Sequence, residues 1–317
     1  MKDEAEFLSH TGYNIKIRSW SGRLGNHIWQ LSHAIHIAKS TNSKVSFPNH
    51  PLFSKLTIDF SIPEKPKETI EGRFLLKDEC YQFPIPDHST FREILQTYIL
   101  PHITHPPLLL KLMGTLAPGS DFGKLPNSFP GDHLFLPTEK ANEITSDTLV
   151  INIRSGKDLF RQNPPPQNDY MQPPLSFYTT IIKNHHSPDC LIVTEPDRMN
   201  PVIPALLCFR KGVRIKQHDG ILGDIDTLLS ARHLAISHST FSWTLALMSK
   251  NVKTIHSLKT FPIRGLANTS VREYAFENYI NPGEWTASPK QLALMLSHSE
   301  HDIITSSCDL NTPKLEN

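Results

Sequence analysis

No run of this sequence approaches the ~18 consecutive apolar residues that a membrane-spanning helix requires, and residues 1–12, MKDEAEFLSHTG, lack the apolar centre of a signal peptide. A soluble, cytoplasmic chain without an integral membrane segment is expected. Charge of one sign is not in excess either: 32 Lys and Arg stand against 31 Asp and Glu, a formal net charge of +1. So balanced a chain has no surplus with which to neutralise a phosphate backbone, which argues against nucleic acid as a principal partner and leaves phosphate recognition to small molecules. Cysteine is scarce. Cys80, Cys190, Cys208 and Cys308 lie far apart with no CxxC spacing, so neither a zinc ribbon nor a disulfide framework is indicated and buried free thiols are expected. Also missing are a dinucleotide GxGxxG, a P-loop GKS or GKT, an HExxH and a serine-hydrolase elbow. His33 with His36, and His102 with His105, stand at helical spacing without a third or fourth ligand, so no metal site is expected. No repeat of solenoid period is present.

With 317 residues, one large domain or two are admissible. Tyr13 to Trp20 alternates apolar and polar residues, as a strand with one buried face does. Gly22 and Gly25, flanking Arg23 and Leu24, then predict a tight turn. Asn26 is a natural helix cap, and Ile28, Leu31, Ile35 and Ala38 recur on one face of the helix that follows. The helix N-terminus offers amides to an anion or a sugar oxygen, although such a turn is also the ordinary connection of a βαβ unit. Lys44 to Phe47 reads as a second strand, closed by Pro48. From Pro51 to Pro137 prolines are dense and helical periods short, at Phe91–Leu100 and Leu108–Leu112.

A boundary is expected in Pro137–Asp147, giving domains at 1–143 and 144–297 and a polar, disordered tail at 298–317. After the apolar strand Thr148–Ile153 the chain alternates. Helices are predicted at Pro174–Asn184, Pro201–Arg210, Leu222–Ala231 and Phe241–Lys250. Strands are predicted at Cys190–Thr194, Gly212–Lys216, His233–Ser237 and Val252–His256. That rhythm is an α/β doubly wound parallel sheet, whose ligands lie beyond the C-terminal strand ends at a switch point.

Two further stretches carry chemistry. Arg154 ends the first of these strands within Asn152-Ile153-Arg154-Ser155-Gly156-Lys157-Asp158, where a guanidinium could grip a diphosphate through two hydrogen bonds. The alternative is an Arg that closes a strand and pairs with Asp158. Between Asp224 and Trp243 a helix, a short strand and a Ser/Thr-rich turn follow one another, and Ser239 and Thr240 either cap the next helix or aim hydroxyls and amides at a phosphate. Asp224-Ile225-Asp226 spells DxD, but it begins a helix where a metal-binding DxD would end a strand.

These three stretches, GRLGNHIWQLSHAIHIAK from Gly22, NIRSGKD from Asn152 and DIDTLLSARHLAISHSTFSW from Asp224, resemble in the same order motifs of the glycosyltransferase family 11 α-1,2-fucosyltransferases and of their GT-B relatives among the protein-O- and α-1,6-fucosyltransferases. His27 stands where Gln is usual, Trp29 where Phe is usual and Asn152 where a His is usual, and Lys157 is inserted before the acid. The resemblance implies two Rossmann-like domains in a GT-B arrangement with a cleft between them. It implies an inverting, metal-independent transferase that moves fucose from GDP-fucose to a glycan hydroxyl, with no cofactor beyond that donor substrate. By position, Arg154 would contact the β-phosphate, Asn152 the guanine end, Asp224 the base or ribose, and Ser239, Thr240 and Phe241 the phosphate side. Gly25 and Asn26 would shape the sugar side. His27 suits a general base because imidazole titrates near neutrality, and Asp158 is the other candidate. Acceptor recognition is expected in the loop-rich 51–137. Relatives of the secretory pathway carry an N-terminal anchor, so the chain is either cytoplasmic or lacks an anchor it once carried. A nucleotide-sugar-binding protein of the same fold, inactive or with an altered donor, is the alternative. An ordinary α/β ligand-binding module is a second one. The acceptor and the oligomeric state stay open.

Overall fold

A computed structural model describes residues 13–50, 52–53, 56–61, 69–72, 74, 86–103, 143–161, 166, 169–216, 220–264, 266 and 268–307. The chain divides into two units, Met1–Leu116 and Ala117–Asn317, each mixed α/β with a sheet of its own. The boundary expected at 143/144 stands at the end of residues 104–142, which lie outside the described residues, as does the predicted helix Leu108–Leu112.

In the first unit, β1 (Asn14–Ile17), β2 (Lys44–Ser46), β3 (Ile58–Asp59) and β4 (Thr69–Gly72) form a sheet in the order β3-β2-β1-β4. β2 and β4 flank β1 in parallel, and β3 joins the edge antiparallel to β2. The strand expected over Tyr13–Trp20 is therefore short, with only Ile15 and Ile17 turned into the core. α1 (Leu24–Ser40) returns the chain from β1 to β2 and buries Ile28, Leu31, Ile35 and Ala38 as their spacing predicts. Its buried surface is wider than that stripe, taking in Gln30, Ser32, His33 and Ile37, because α1 packs on β1 and also on α2 (His88–Ile94). Asp87 caps α2 by accepting from the Thr90 amide at 2.7 Å. The helical path runs on through a π-turn at Leu95–Ile99 into α3 (Leu100–Ile103).

The second unit contains β5 (Leu149–Ile153), α4 (Lys157–Phe160), α5 (Leu175–Asn184), β6 (Cys190–Thr194), α6 (Val202–Phe209), β7 (Val213–Ile215), α7 (Ile221–Ser230), β8 (His233–Ala235), α8 (Thr240–Met248), β9 (Thr254–Leu258), β10 (Ser270–Phe276), α9 (Pro289–Ser297) and β11 (Ile303–Ser307). Sheet order is β11-β10-β9-β8-β5-β6-β7. Counted from the first strand of the unit, this is the doubly wound order 3-2-1-4-5-6 with a seventh strand added. β5 to β10 are mutually parallel, and β11 alone is antiparallel. The order reverses between β5 and β8, so the crevice at their C-terminal ends is the place this topology reserves for a ligand. β5 is buried along its whole length, and Ile151, Ile192, Phe177, Tyr178 and Trp285 centre the core. Side chains of this size each contribute about 1.5–3 kcal/mol when withdrawn from water.

The tail expectation is corrected. Residues 298–307 are ordered: a 3₁₀ turn at Glu300–Asp302 leads into β11, which pairs with β10 from Ile303 to Ser307. A sheet edge offers backbone partners whatever the polarity of the side chains. Here Ser176 with His298 at 2.8 Å, and Lys183 and Thr179 with Glu300 at 2.7 Å, fasten the turn as well. Residues 308–317 lie outside the described residues. The thiol expectation needs one correction too, since Cys190 is free and buried but Cys208 is free and exposed, and Cys80 and Cys308 fall outside the description.

Candidate functional site

Arg154 leaves the C-terminal end of β5 and is only 9% exposed. Its Nη2 donates to Asp158 Oδ2 at 2.5 Å across the start of α4, and its Cζ stands 5.3 Å from the centre of the Tyr170 ring. Nε is buried without a hydrogen-bond partner among the described residues. The strand-closing pair with Asp158 is thus present, yet it does not account for the whole guanidinium. A buried donor left unmatched costs about 1–3 kcal/mol, more when charged, and an anionic acceptor would relieve that cost.

The loop beneath Arg154 is held from distant points of the chain. Asn200, wholly buried, donates through Nδ2 to Arg154 O at 3.0 Å and accepts from the Val202 amide at 3.1 Å, while its own amide donates to Ser155 Oγ at 3.0 Å. Glu195, just beyond β6, accepts from the Ser155 amide at 2.7 Å. Trp285 Nε1 donates to Leu159 O at 2.9 Å and so anchors the short helix that carries Asp158.

Across the switch point, Ser237 Oγ donates to Asn152 Oδ1 at 3.3 Å, and Asn152 Nδ2 donates to Val193 O at 3.3 Å. Asn152 therefore ties β6, β5 and β8 together, with its amide turned into the protein. His238 follows; its ring lies 5.9 Å from Tyr170, and Nδ1 bonds Met171 O at 3.3 Å. Burial lowers the His238 pKa, the bond to Met171 opposes that, and the Arg154 charge adds to the lowering. Tyr170 thus touches both the guanidinium and the segment leading into α8. Ser239 occupies the N-cap of α8 as predicted, but its side chain makes no cap bond, and Thr240 and Phe241 open the helix half-buried. The first amides of any helix lack intrahelical partners, and its positive end attracts anions.

Asp224 lies in the first turn of α7, behind Gly220 at φ +90°, and pairs at 3.4 Å with Lys216, whose side chain is 1% exposed beyond the end of β7. Asp226 is exposed, and positions two apart on a helix do not face each other, so the DxD spelling brings no two carboxylates together. Arg154, Asn152, Asp158, Asp224, Ser239, Thr240 and Phe241 accordingly all belong to the C-terminal edge of one parallel sheet. Such an edge can bind a phosphate group and stabilise negative charge developing on it.

The glycine corner belongs to the first unit. Gly22 has φ +74°, while Gly25 is helical and buried. The positive φ turns the chain early, so Arg23 becomes the N-cap and Asn26, expected as the cap, lies inside the first turn of α1. The Asn26 amide packs onto Gly22, where an added Cβ would fall 2.2 Å from Nδ2. Gln30, fully buried, clamps the loop: Oε1 accepts from the Ser21 amide at 2.9 Å and Nε2 donates to Ser19 O at 3.0 Å. His27 joins a one-way chain of hydrogen bonds. The Leu52 amide donates to His50 Nδ1 at 3.2 Å, so His50 carries its proton on Nε2 and donates to His27 Nδ1 at 3.1 Å, and His27 Nε2 donates to Gly22 O at 3.0 Å. Burial lowers both pKa values, that of His50 to about 3. With both nitrogens engaged, His27 has no lone pair for a substrate proton in this arrangement.

Asn200, Glu195, Tyr170, Gln30 and His50 went unmarked in the sequence. Gln30 lies within the first motif but was given no role there, no motif contains the others, and only His50, with aromatic Trp20 and Phe53 around it, left a compositional trace. Among the described residues no helix is long and apolar enough to cross a membrane. Comparison with protein-family models, curated proteins and solved structures found no match.

Proposed function

We propose that the second unit binds a nucleoside-diphosphate sugar at the C-terminal edge of its sheet, and that the chain is an inverting, metal-independent glycosyltransferase acting from GDP-fucose on a glycan hydroxyl. The observation that carries this is Arg154: a buried guanidinium with an unmatched Nε, at the switch point, sharing the Tyr170 ring with the lead into α8. The motif resemblance supplies the donor and the transferase class. The same reading brings with it a GT-B pairing of two Rossmann-like domains, in which Gly25 and Asn26 shape the sugar side.

In a single displacement at the anomeric carbon, the bond to the departing diphosphate breaks as the acceptor oxygen attacks. Arg154 and the positive end of α8 stabilise the growing negative charge, and removing one preorganised donor of this kind costs ~10²–10³ in rate. Of the two candidate bases, the hydrogen-bond chain through His27 favours Asp158, a half-exposed carboxylate beside Arg154. A second reading, a nucleotide-sugar-binding protein without turnover, draws support from the inward amide of Asn152 at the position where relatives read the base.

Calorimetry against GDP-, UDP- and ADP-sugars, with detection of released nucleotide, tests both. Arg154→Ala is expected to abolish GDP binding with the circular dichroism unchanged, and Arg154→Lys to restore part of it as a point charge. Unchanged GDP affinity in Arg154→Ala would remove this residue from the site. Binding without turnover would select the second reading, and a wild type that binds no GDP ligand would refute both.

A further inference from the structure

The opposite, N-terminal edge of the second unit's sheet carries a cluster that the proposed transfer does not use. Asp147 precedes β5, His233 opens β8, and His185 and His186 follow the last residue of α5. β5 and β8 are neighbours, with Leu149 opposite His233, so residues far apart in sequence meet here. One ligand atom from each of Asp147, His186 and His233 lies within 4.8 Å of the others, and His186 Nε2 stands 3.4 Å from Asp147 Oδ1. The rings of His185 and His186 are 4.5 Å apart, and they lie 5.1 and 5.5 Å from that of His233. His185 Nε2 donates to Asp147 O at 2.8 Å, which fixes the backbone that presents the carboxylate.

We infer that Asp147, His186 and His233 bind a divalent transition-metal ion of the zinc class, with water completing the shell. Two nitrogens and one oxygen suit such an ion. Ligands about 2.0–2.1 Å from a tetrahedral zinc stand ~3.4 Å apart, which is the separation His186 and Asp147 already have. The remaining distances close by side-chain rotation, for which Asp147 and His186 have room at 62% and 61% exposure. Hard cations are disfavoured. They prefer several oxygen ligands, and here there is one carboxylate, while Arg210 and Arg232 act electrostatically on His185 and His233. A bound ion would staple the N-terminal ends of β5 and β8 to the α5–β6 connection, behind the strands whose other ends carry Arg154 and Ser237.

The test is titration of the metal-stripped full chain with Zn²⁺ by calorimetry, and with Co²⁺ by visible absorption. One equivalent is expected to bind, with Co²⁺ bands of a nitrogen-containing site, and Mg²⁺ is expected to give no heat. His186→Ala and Asp147→Asn, both surface changes, should each weaken Zn²⁺ at least ~10-fold, and His233→Ala should abolish the Co²⁺ bands. Failure of the wild type to bind Zn²⁺, or binding unchanged in the His186→Ala, Asp147→Asn double variant, would overturn the assignment. Neither result depends on whether GDP-sugars bind.

Discussion

The hydrogen-bond chain behind the glycine corner predicts a pH dependence that one substitution should remove. His50 is 6% exposed, and burial, followed by the neighbouring His27, pushes its pKa from 6.5 down to about 3. Once unfolded, His50 takes up a proton below pH 6.5; folded, it resists until pH 3. The unfolded state therefore binds more protons between these values, so the contribution of His50 to stability is complete above pH 6.5 and is lost as pH falls toward 3. With those two pKa values, the loss between pH 7 and pH 5 is about 2 kcal/mol. His50→Gln keeps an amide that can donate toward His27 but cannot titrate. Urea unfolding at pH 7 and pH 5 should show the wild type losing about 2 kcal/mol more than the variant over that interval. His256, buried and also pushed down to about 3, adds a similar loss to both proteins and cancels in the difference. Imidazole ¹⁵N shifts should in addition report His50 as the Nε2–H tautomer at pH 7. Equal pH slopes in the two proteins, or a His50 resonance that titrates near 6.5, would refute the chain as drawn.

Two further substitutions probe the geometry on either unit. Asn200→Asp keeps the acceptor for the Val202 amide but sets a carboxylate against Arg154 O, so thermal unfolding should show a loss of about 1–3 kcal/mol, and on the proposed reading GDP affinity should fall about tenfold as the Arg154 loop loosens; a neutral effect on both would show that Asn200 does not position the arginine. Gly22→Ala must hold a Cβ at φ +74° and displace the Asn26 amide, so a cost of about 1–2 kcal/mol in urea unfolding is expected, and full stability would mean that the corner relaxes without consequence.

The second unit was legible because its central strands are buried on both faces. Leu149–Ile153 and Cys190–Thr194 each hold four apolar residues of five without polar alternation, and a parallel sheet covered by helices explains such a run followed by an amphipathic helix. Edges were not legible. β4, TIEG, and β11, IITSS, are held by backbone pairing to β1 and β10, and an edge strand can be polar without losing those bonds. β10 was hidden for another reason: Glu273, at 2% exposure and paired with Arg264 at 3.1 Å, sits where the alternation of a strand would lead one to expect an apolar residue. Of the site, the residues that emerge from strand ends could be read, since topology alone sends Arg154 and Ser239 to one edge. The residues that hold them could not, because Asn200, Glu195 and Trp285 reach the Arg154 loop only through the folded chain.

Asn152 bears most directly on what the edge can recognise. At the position where the resembled motifs carry a His, its shorter amide is engaged on both sides, giving a hydrogen to Val193 O and receiving one from Ser237. Turning it toward a ligand would strip those two buried partners, each at a cost of about 1–3 kcal/mol, for a new bond that returns about 0.5–1.5 kcal/mol. The exchange is unfavourable, so Asn152 serves to lock β6, β5 and β8 where Arg154 and Ser239 emerge, and it does not read a base. On the proposed reading, phosphate recognition and base recognition then separate along the edge. The first stays at the switch point, with Arg154 and α8. The second, on the proposed reading, moves to the end of β7, where the buried Lys216 holds Asp224 in the first turn of α7 and where a carboxylate can accept the paired N–H groups of a purine edge or a ribose hydroxyl.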